Sequence, residues 1–534
     1  MKKISIILLA VILLLGLAGG KALAVRSGGT LNFMAPYGGD VGSLDPHRTG
    51  RIQDWLITMN IHKSLYEWDP VSSKPELALA EKVEASDDGL TYTYTLRKDV
   101  KFHNGRGLTA DDVIWSYNRI MKPETGSQTA RFIRNIKGAK DVEEGKAEMM
   151  SGLKKIDDYT LAITLEQPID PSYLLFEPGA AILPREEVDK KGDAFGTDPV
   201  GCGPFQFDKW VRGTEVTLKK FPDFYEAGKP YLDKVVYKIM PEGGARDMAF
   251  KAKELDANIV EPTQYPEYKK HPEISKNMIE VDELYTIVAG FNPDYEPFSN
   301  KLVRQAISYA IDRPLILEKL LKNKGTLAVG YLSTTSPAFD PKAKGYVYDV
   351  AKAKALMKEA GYEKGFTVEW LGTPNKAWGV PVVEAMIPYL KKINITVKPQ
   401  LLEGAAMRAR LVKGDYQAFI WCFSCGPSPL QALRRWRSDN TPAGGNFVHY
   451  KNPEFGRLLD AAGQERDEAK KIELLQNADA VLREDAPLWL FCYNGAAMAH
   501  QPWVHGLNPV AIEMMYQDLT STWVDESSPR AHKK

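Results

Sequence analysis

The first feature with chemical potential is the pair of cysteines in IWCFSCGPSP, residues 420–429. Two thiols separated by two residues, behind a tryptophan, are typical of a thiol–disulfide active site. The reactive thiol of such a site lies at a helix N-terminus, because the helix dipole lowers its pKa. Here Gly426, Pro427 and Pro429 follow the pair, and each proline disfavours a helical residue before it. The pattern predicts that the helix begins near Leu430 and that both thiols lie short of it.

Other catalytic signals are missing from the sequence. It contains no Gly-x-Ser-x-Gly, no His-Glu-x-x-His and no Gly-x-x-x-x-Gly-Lys-Ser/Thr motif. The eight histidines are scattered without metal-ligand spacing. We therefore expect no catalytic residue, no metal site and no cofactor. An exported thiol oxidoreductase that uses Cys422 and Cys425 remains the alternative from a different class of protein.

The N-terminus predicts the compartment. Lys2 and Lys3 precede an apolar run over 4–17, and Ala22-Leu23-Ala24 offers a small-x-small cleavage site. This arrangement is typical of a secretory signal peptide over residues 1–24. No cysteine follows the run, so we expect a periplasmic protein without a lipid anchor.

Composition limits the remaining classes of function. Without residues 1–24, the chain has 66 basic and 69 acidic residues in mixed order, a net charge of about −3. Nucleic-acid binders usually carry a basic stripe, which is absent here. About 510 residues exceed what one core can organise, so two or three domains are expected. Four cysteines in an oxidising compartment favour disulfides, and three complete pairings are possible.

Hydrophobic patterns outline the elements that must position these residues. Residues 109–121 predict a helix capped by Thr109, and residues 54–70 have apolar residues at helical spacing. From residue 350 onward, helical and strand patterns alternate, which predicts an α/β architecture. Apolar strands are predicted over 284–292 and 487–494.

Five blocks spread over the chain carry a family resemblance. The longest runs from a Pro and a Leu-Ala through Asp-Gly and Phe-His-x-Gly to Thr-Ala-x-Asp-Val. Together the blocks resemble the extracellular solute-binding family 5 proteins, which are the peptide, dipeptide and nickel receptors of ABC importers. The five blocks are residues 44–50, 75–120, 198–207, 291–313 and 348–362.

The resemblance implies a bilobal, periplasmic-binding-protein-like α/β fold of class II, in its large type with an extra subdomain and with two lobes joined by hinge strands. It also implies that a small molecule binds between the lobes, which close by hinge motion. A membrane permease and its ATPase subunits would be the partners of a monomeric receptor that binds no nucleic acid. The implied parts are a discontinuous lobe I (25–65, 195–285 and 495–534), its extra subdomain (66–194) and lobe II (286–494).

The resemblance also implies site residues. Peptide-binding members carry an aspartate three residues after a lobe II tryptophan, and this carboxylate pairs with the peptide ammonium. Trp421 matches that tryptophan, but Ser424 occupies the place of the aspartate. We therefore expect a ligand without a free peptide amine, such as a modified peptide or an acidic conjugate. Ordinary peptides held by a substitute acid, and a nickel–chelator ligand, remain alternatives.

Further candidate contacts follow from the same comparison. Trp115 matches a position whose ring faces the ligand, and Tyr493 ends the strand that leaves lobe II. An arginine in the cleft would suit a carboxylate or phosphate group, and we select Arg410 among the four arginines of this region. The other three are Arg408, Arg434 and Arg435. A Cys422–Cys492 disulfide would brace the cleft wall, with Cys425–Cys492 as the alternative pairing.

Overall fold

The computed structural model describes residues 25–532, so the predicted signal peptide lies outside the described residues. The strands in this range are β1 (Thr30–Met34), β2 (Tyr66–Asp69), β3 (Lys74–Leu77), β4 (Ala80–Ala85), β5 (Thr91–Leu96), β6 (Leu153–Asp157), β7 (Thr160–Thr164), β8 (Phe205–Val211), β9 (Glu215–Lys220), β10 (Lys234–Lys238), β11 (Ala257–Ile259), β12 (Met278–Phe291), β13 (Gly325–Leu327), β14 (Phe366–Gly372), β15 (Ile395–Leu401), β16 (Ala418–Ser424), β17 (Leu488–His500), β18 (Val504–His505) and β19 (Trp523–Val524).

The α-helices of the described range are α1 (Ile52–Thr58), α2 (Ala110–Met121), α3 (Ala139–Glu143), α4 (Ser172–Leu175), α5 (Arg185–Lys191), α6 (Gly243–Lys251), α7 (Tyr265–Lys270), α8 (Glu296–Ser299), α9 (Lys301–Ala310), α10 (Arg313–Leu321), α11 (Val350–Glu359), α12 (Val380–Leu390), α13 (Gly404–Lys413), α14 (Pro429–Arg434), α15 (Pro453–Gln464) and α16 (Glu468–Asp485). Short 3₁₀ turns connect several of them.

One long mixed sheet runs through most of the molecule. Its strand order is β15-β14-β16-β12-β17-β11-β1-β10-β9-β8, and β13 pairs with β17 beside this path. The parallel pair β14–β15 is connected through α12, which confirms the helix–strand alternation predicted after residue 350. The α/β class predicted from the sequence is therefore confirmed.

Strands β12 and β17 join the two halves of this sheet. The first half of β12 pairs with the second half of β17, which continues to β11 in the N-terminal part. The second half of β12 pairs with β16 in the C-terminal part. Because both strands are long and cross from one half to the other, they form the only strand pair of the described range that belongs to both halves. We call them the crossing strands.

The buried side chains separate along the same line. One apolar core combines buried residues of 31–268 with those of 496–524, and it extends over the four-stranded sheet β4-β5-β7-β6. Two further cores, on the opposite faces of the C-terminal sheet, contain residues between 287 and 493. We call the part of the molecule around the first core lobe I, and the four-stranded sheet with its neighbouring helices the extra subdomain of lobe I. The part around the other two cores is lobe II. The exact boundaries drawn from the sequence stay a prediction.

Of two helices predicted from the sequence, the one with a capping signal is confirmed and the other is too long. The predicted helix over 109–121 is α2, where the main-chain N–H of Thr109 donates to Asp112 at 2.8 Å. The helix predicted over 54–70 is too long, since α1 ends at Thr58. Residues 66–69 instead form β2, which pairs with β3 in a hairpin that buries Tyr66 and Trp68.

Candidate functional site

The Cys-x-x-Cys pair does not have the geometry of a redox site. Cys422 lies on β16 and Cys425 directly after it, whereas α14 begins only at Pro429. Burial raises the pKa of Cys422 well above its ordinary value and that of Cys425 to about 11. Cys425 donates to the main-chain oxygen of Tyr331 at 3.3 Å. Both groups therefore stay protonated thiols at neutral pH, which is the opposite of an activated cysteine.

The structure does not contain the predicted Cys422–Cys492 disulfide. Both cysteines are free, and each lies opposite Ile287 on a different side of β12. Paired residues of neighbouring strands are about 5 Å apart, so a whole strand holds these two Cα atoms about 10 Å from each other. A disulfide requires less than about 7 Å. The alternative partner, Cys425, packs in the core of the other sheet face.

We expect this arrangement to leave all four cysteines as thiols, even in protein purified from an oxidising compartment. Alkylation of unreduced, denatured protein with iodoacetamide should add four adducts by intact mass. The native protein should react poorly, because three of the thiols are buried and Cys422 is half-buried. A reduced sample is the control. Only two adducts without reduction would show that a bridge forms.

A cavity of about 1010 Å³ lies between the extra subdomain and lobe II. Loops around residues 85–92 and 168–177 form one wall, and residues 424–435 and 463–471 form the other. At its rim, the guanidinium of Arg466 donates to the main-chain oxygen of Asp87 at 3.0 Å and connects the two walls. The volume is at the upper end of small-molecule sites, so the cavity can hold a ligand of several residues or an equivalent molecule. We call it the cleft.

Two neighbouring arginines make the lobe II wall basic. Arg435 donates to the main-chain oxygen of Ser424 at 3.1 Å and lies over the ring of Phe423 at 5.1 Å. The guanidinium of Arg434 makes no hydrogen bond or ion pair with any other described residue, and only its main-chain oxygen accepts, from the N–H of Arg437 at 3.1 Å. The Nε atoms of both arginines are buried without a partner. Burial and the charge of Arg437 lower the pKa of Arg434, which still leaves it charged.

The facing wall carries an acid in the same condition. Glu177 lies between α4 and the following 3₁₀ turn, and its main-chain oxygen accepts from the Ser64 hydroxyl at 3.1 Å. Its half-buried carboxylate receives no hydrogen bond from the described residues. Burial raises the pKa of Glu177 to about 7, against the opposing effect of the positive charge of Arg131. This wall therefore presents a carboxyl group that ionises near neutral pH.

Of the contacts predicted from the sequence, Ser424 lies in the wall of the cleft. Its hydroxyl accepts from the main-chain N–H of Gly426 at 3.1 Å. Trp421 is not in the cleft wall: its half-buried ring packs 6.1 Å from that of Trp378 and stacks on Phe423. Since alternate residues of β16 face opposite sides of the sheet, Trp421 and Ser424 cannot both point to the same surface. The ligand contact of Ser424 stays a prediction.

The structure places the other three predicted contacts away from the cleft. Tyr493 is fully buried, and its hydroxyl accepts from the N–H groups of Val329 and Gly330, each at 3.2 Å. Arg410 pairs with Glu369 at 2.8 Å across two elements of lobe II.

Trp115, the last of them, lines a separate cavity of about 710 Å³ on the extra subdomain, beside Arg119 and the exposed Met149. Tyr493, Arg410 and Trp115 therefore do not line the cleft in this structure, and their contact with a ligand stays a prediction.

A buried acid pair at the crossing strands was missed by the sequence analysis. Glu283 of β12 accepts from Asn494 of β17 and from the main-chain N–H of Met514, both at 2.7 Å. Glu513 accepts from the hydroxyl of Tyr37 at 2.5 Å. Burial, and the charge of Glu283, raise the pKa of Glu513 well above its ordinary value. No sequence signal marks this pair, since its members lie 230 residues apart.

Among residues 25–532, no helix combines the length and the apolar character that a membrane span requires. Within the same range, no three His, Cys, Asp or Glu side chains are arranged to hold a metal ion.

Comparison with known proteins gives consistent matches over most of the chain. The model of bacterial extracellular solute-binding proteins, family 5 middle, matches residues 74–444. Heme-binding protein A of Haemophilus influenzae is 29% identical over 464 residues, which are 81% of this chain and 81% of that protein. The glutathione-binding protein of Salmonella typhimurium is 27% identical over 470 residues, 85% of this chain and 87% of that protein.

Solved structures of periplasmic binding proteins match the fold of this chain. The ABC transporter-associated periplasmic binding protein of Helicobacter pylori, in complex with the peptide STSA, superposes with a TM-score of 0.75 at 25% identity, over 94% of this chain and 99% of that one.

Proposed function

Since the chain belongs to bacterial extracellular solute-binding protein family 5, and is thus a solute-binding protein of ABC importers for peptides or related ligands, we propose that its cleft captures a small organic ligand with an acidic group. The ligand is peptide-like, a modified peptide or an acidic conjugate. The receptor acts in the periplasm, and the closed, loaded form delivers its ligand to a membrane permease whose ATPase subunits drive transport. The protein itself leaves the ligand chemically unchanged.

The observation that carries this proposal is the unpartnered guanidinium of Arg434 in the wall of the cleft. A half-buried charge without a hydrogen-bond acceptor is costly, and a carboxylate or phosphate on a ligand would remove that cost. Gly463 supports the position of the guanidinium, because a Cβ at residue 463 would lie only 2.9 Å from the Arg434 Nη2 atom. The adjacent Arg435 adds a second positive charge to the same wall.

Ligand binding and closure of the cleft are coupled. The two walls come from different parts of the chain, so a ligand that contacts both stabilises the closed arrangement over an open one. The contact of Arg466 with Asp87 at the rim is the kind of interaction that only a closed cleft can make. A membrane permease can then distinguish the loaded receptor from the empty one by its shape.

Native mass spectrometry of freshly purified protein tests the proposal. We expect a bound species of low mass in the wild type and its loss in Arg434→Ala, because removing the charge partner costs about 2–5 kcal/mol, or a 30-fold to several-thousand-fold loss of affinity. Arg457→Ala is the matched control, since Arg457 is exposed and pairs with Glu454 on the surface of lobe II. Equal occupancy in Arg434→Ala and wild type would overturn the proposal.

A further inference from the structure

The charged side chains around the cleft differ in whether they have partners. Three half-buried ones are satisfied within the protein: Arg435 donates to Ser424, Glu465 accepts from the N–H of Asp467 at 2.8 Å, and Lys471 lies 3.8 Å from Glu468. Among the described residues of the cleft walls, the half-buried charged groups without a hydrogen bond or ion pair are those of Glu177 and Arg434. They lie on opposite walls and have opposite charges.

These two groups do not form an ion pair with each other: the charge that acts on Glu177 is that of Arg131, and Arg434 feels the charges of Arg437, Asp460 and Asp439. Each is fixed by its surroundings: the main chain of Glu177 is held by Ser64, and Arg434 packs against Gly463. A charge that is half removed from water and lacks a partner destabilises the protein unless something else neutralises it. A molecule that fills the cleft and has a positive and a negative group would neutralise both walls at once.

We infer that the cleft binds a zwitterionic ligand, whose ammonium group binds Glu177 of the extra subdomain and whose carboxylate or phosphate binds Arg434 of lobe II. This inference rests on the proposed function. Glu177 then supplies the negative charge that Ser424 lacks, and it binds the ligand ammonium in place of residue 424. The expectation that the ligand lacks a free amine is thereby replaced: a peptide amine is excluded from residue 424, but not from the cleft.

The position of the acid has a consequence for closure. A ligand held by Glu177 on one wall and Arg434 on the other connects the two lobes through its own charges. A molecule with only one of the charges contacts only one wall strongly, so it binds without favouring the closed arrangement to the same degree. Both charges are therefore needed for tight binding.

Calorimetry with four simple probes tests this inference. The probes are alanyl-alanine and trialanine, each in free form and with an acetylated N-terminus. In the wild type we expect the better-binding free peptide to bind about 10- to 100-fold more tightly than its acetylated form, the range expected for a hydrogen bond to a charged group. In Glu177→Gln this preference should vanish, while binding of the acetylated form stays within about threefold of wild type.

The complementary variant tests the other pole. Arg434→Gln should weaken the free and the acetylated peptide by a similar factor, because both retain the carboxylate. Glu363→Gln, an exposed glutamate of lobe II, is the control and should behave like wild type. Thermal melting of each variant confirms that it is folded.

The pH dependence gives an independent readout. Because the pKa of Glu177 is raised to about 7, its ionised form increases between pH 5.5 and 7.5, and the affinity for the free peptide should rise over this range. The α-amine is largely protonated throughout, since its own pKa is about 7.7–8.0. In Glu177→Gln the affinity should not change with pH.

Two results would overturn the inference: acetylated peptides that bind as well as free ones, or a preference for free peptides that persists in Glu177→Gln. Failure of every peptide to bind would also overturn it. None of these results removes the bound species that native mass spectrometry detects through Arg434, so failure of the inference and failure of the proposed function are distinguishable.

Discussion

Replacing Asp256 with alanine is expected to lower the free energy of unfolding by about 3–5 kcal/mol, the cost of leaving a buried charge partner unpaired. Asp256 lies at the end of the loop before β11 and is fully buried. Its carboxylate accepts from the main-chain N–H of Asn32 and from the indole N–H of Trp503, each at 2.7 Å, and it pairs with Arg530. One carboxylate thus connects three distant parts of the chain that together build lobe I.

The alanine variant leaves two N–H donors and a largely buried guanidinium without their acceptor, which explains the size of the effect. Urea denaturation followed by tryptophan fluorescence measures it. Asp256→Asn should lose less, since its amide keeps one acceptor oxygen. The control is Asp223→Ala, because Asp223 pairs with Lys101 only on the surface, where such a pair contributes less than about 1 kcal/mol. A loss in Asp256→Ala no larger than in this control would contradict the assignment.

The acid pair at the crossing strands is expected to make a contribution to stability that falls as pH rises above about 4.3. The pKa of Glu513 is raised by burial and by the charge of Glu283, so the folded protein binds more protons than the unfolded chain between the ordinary glutamate pKa and the raised one. Stability from the bound proton is complete at low pH and is lost as pH rises through that window. Each unit of raised pKa corresponds to about 1.4 kcal/mol.

Glu513→Gln should remove this loss, because an amide stays neutral while it still accepts from Tyr37. Its melting temperature should therefore exceed that of wild type at pH 8 and approach it near pH 4.5. Burial raises the pKa of Tyr285 and of Cys422, which both face the pair and stay neutral in this window. Lys324 also faces the pair, and burial lowers its pKa. Glu363→Gln should follow the wild-type profile. If the melting temperature of Glu513→Gln depended on pH as in the wild type, the proton bound in the folded state would not reside on this pair.

How much could be predicted depended on whether the determining contacts are local. The capped helix α2 and the alternation of helices and strands after residue 350 follow from neighbouring residues, and both were predicted correctly. The bilobal fold and the family rest on a resemblance spread over the whole chain, and they are confirmed.

The contacts within the cleft depend on strand order and on distant partners. Cys422 and Cys492 were predicted to form a disulfide, but β12 lies between their strands, and no local pattern fixes which strand lies between two others. Arg410 and Arg434 are both helical arginines of lobe II. Only the fold shows that Arg410 is neutralised by Glu369, a residue 41 positions earlier, while Arg434 has no partner. Glu177 carries no sequence signal at all.

The central claim is that two lobes close around a small molecule and leave it unchanged. Small-angle X-ray scattering tests it directly, on ligand-free protein before and after addition of the molecule that native mass spectrometry identifies. A smaller radius of gyration with ligand, and recovery of the ligand at unchanged mass, are the expected results. An identical radius of gyration in both states, or a recovered molecule of altered mass, would contradict the account.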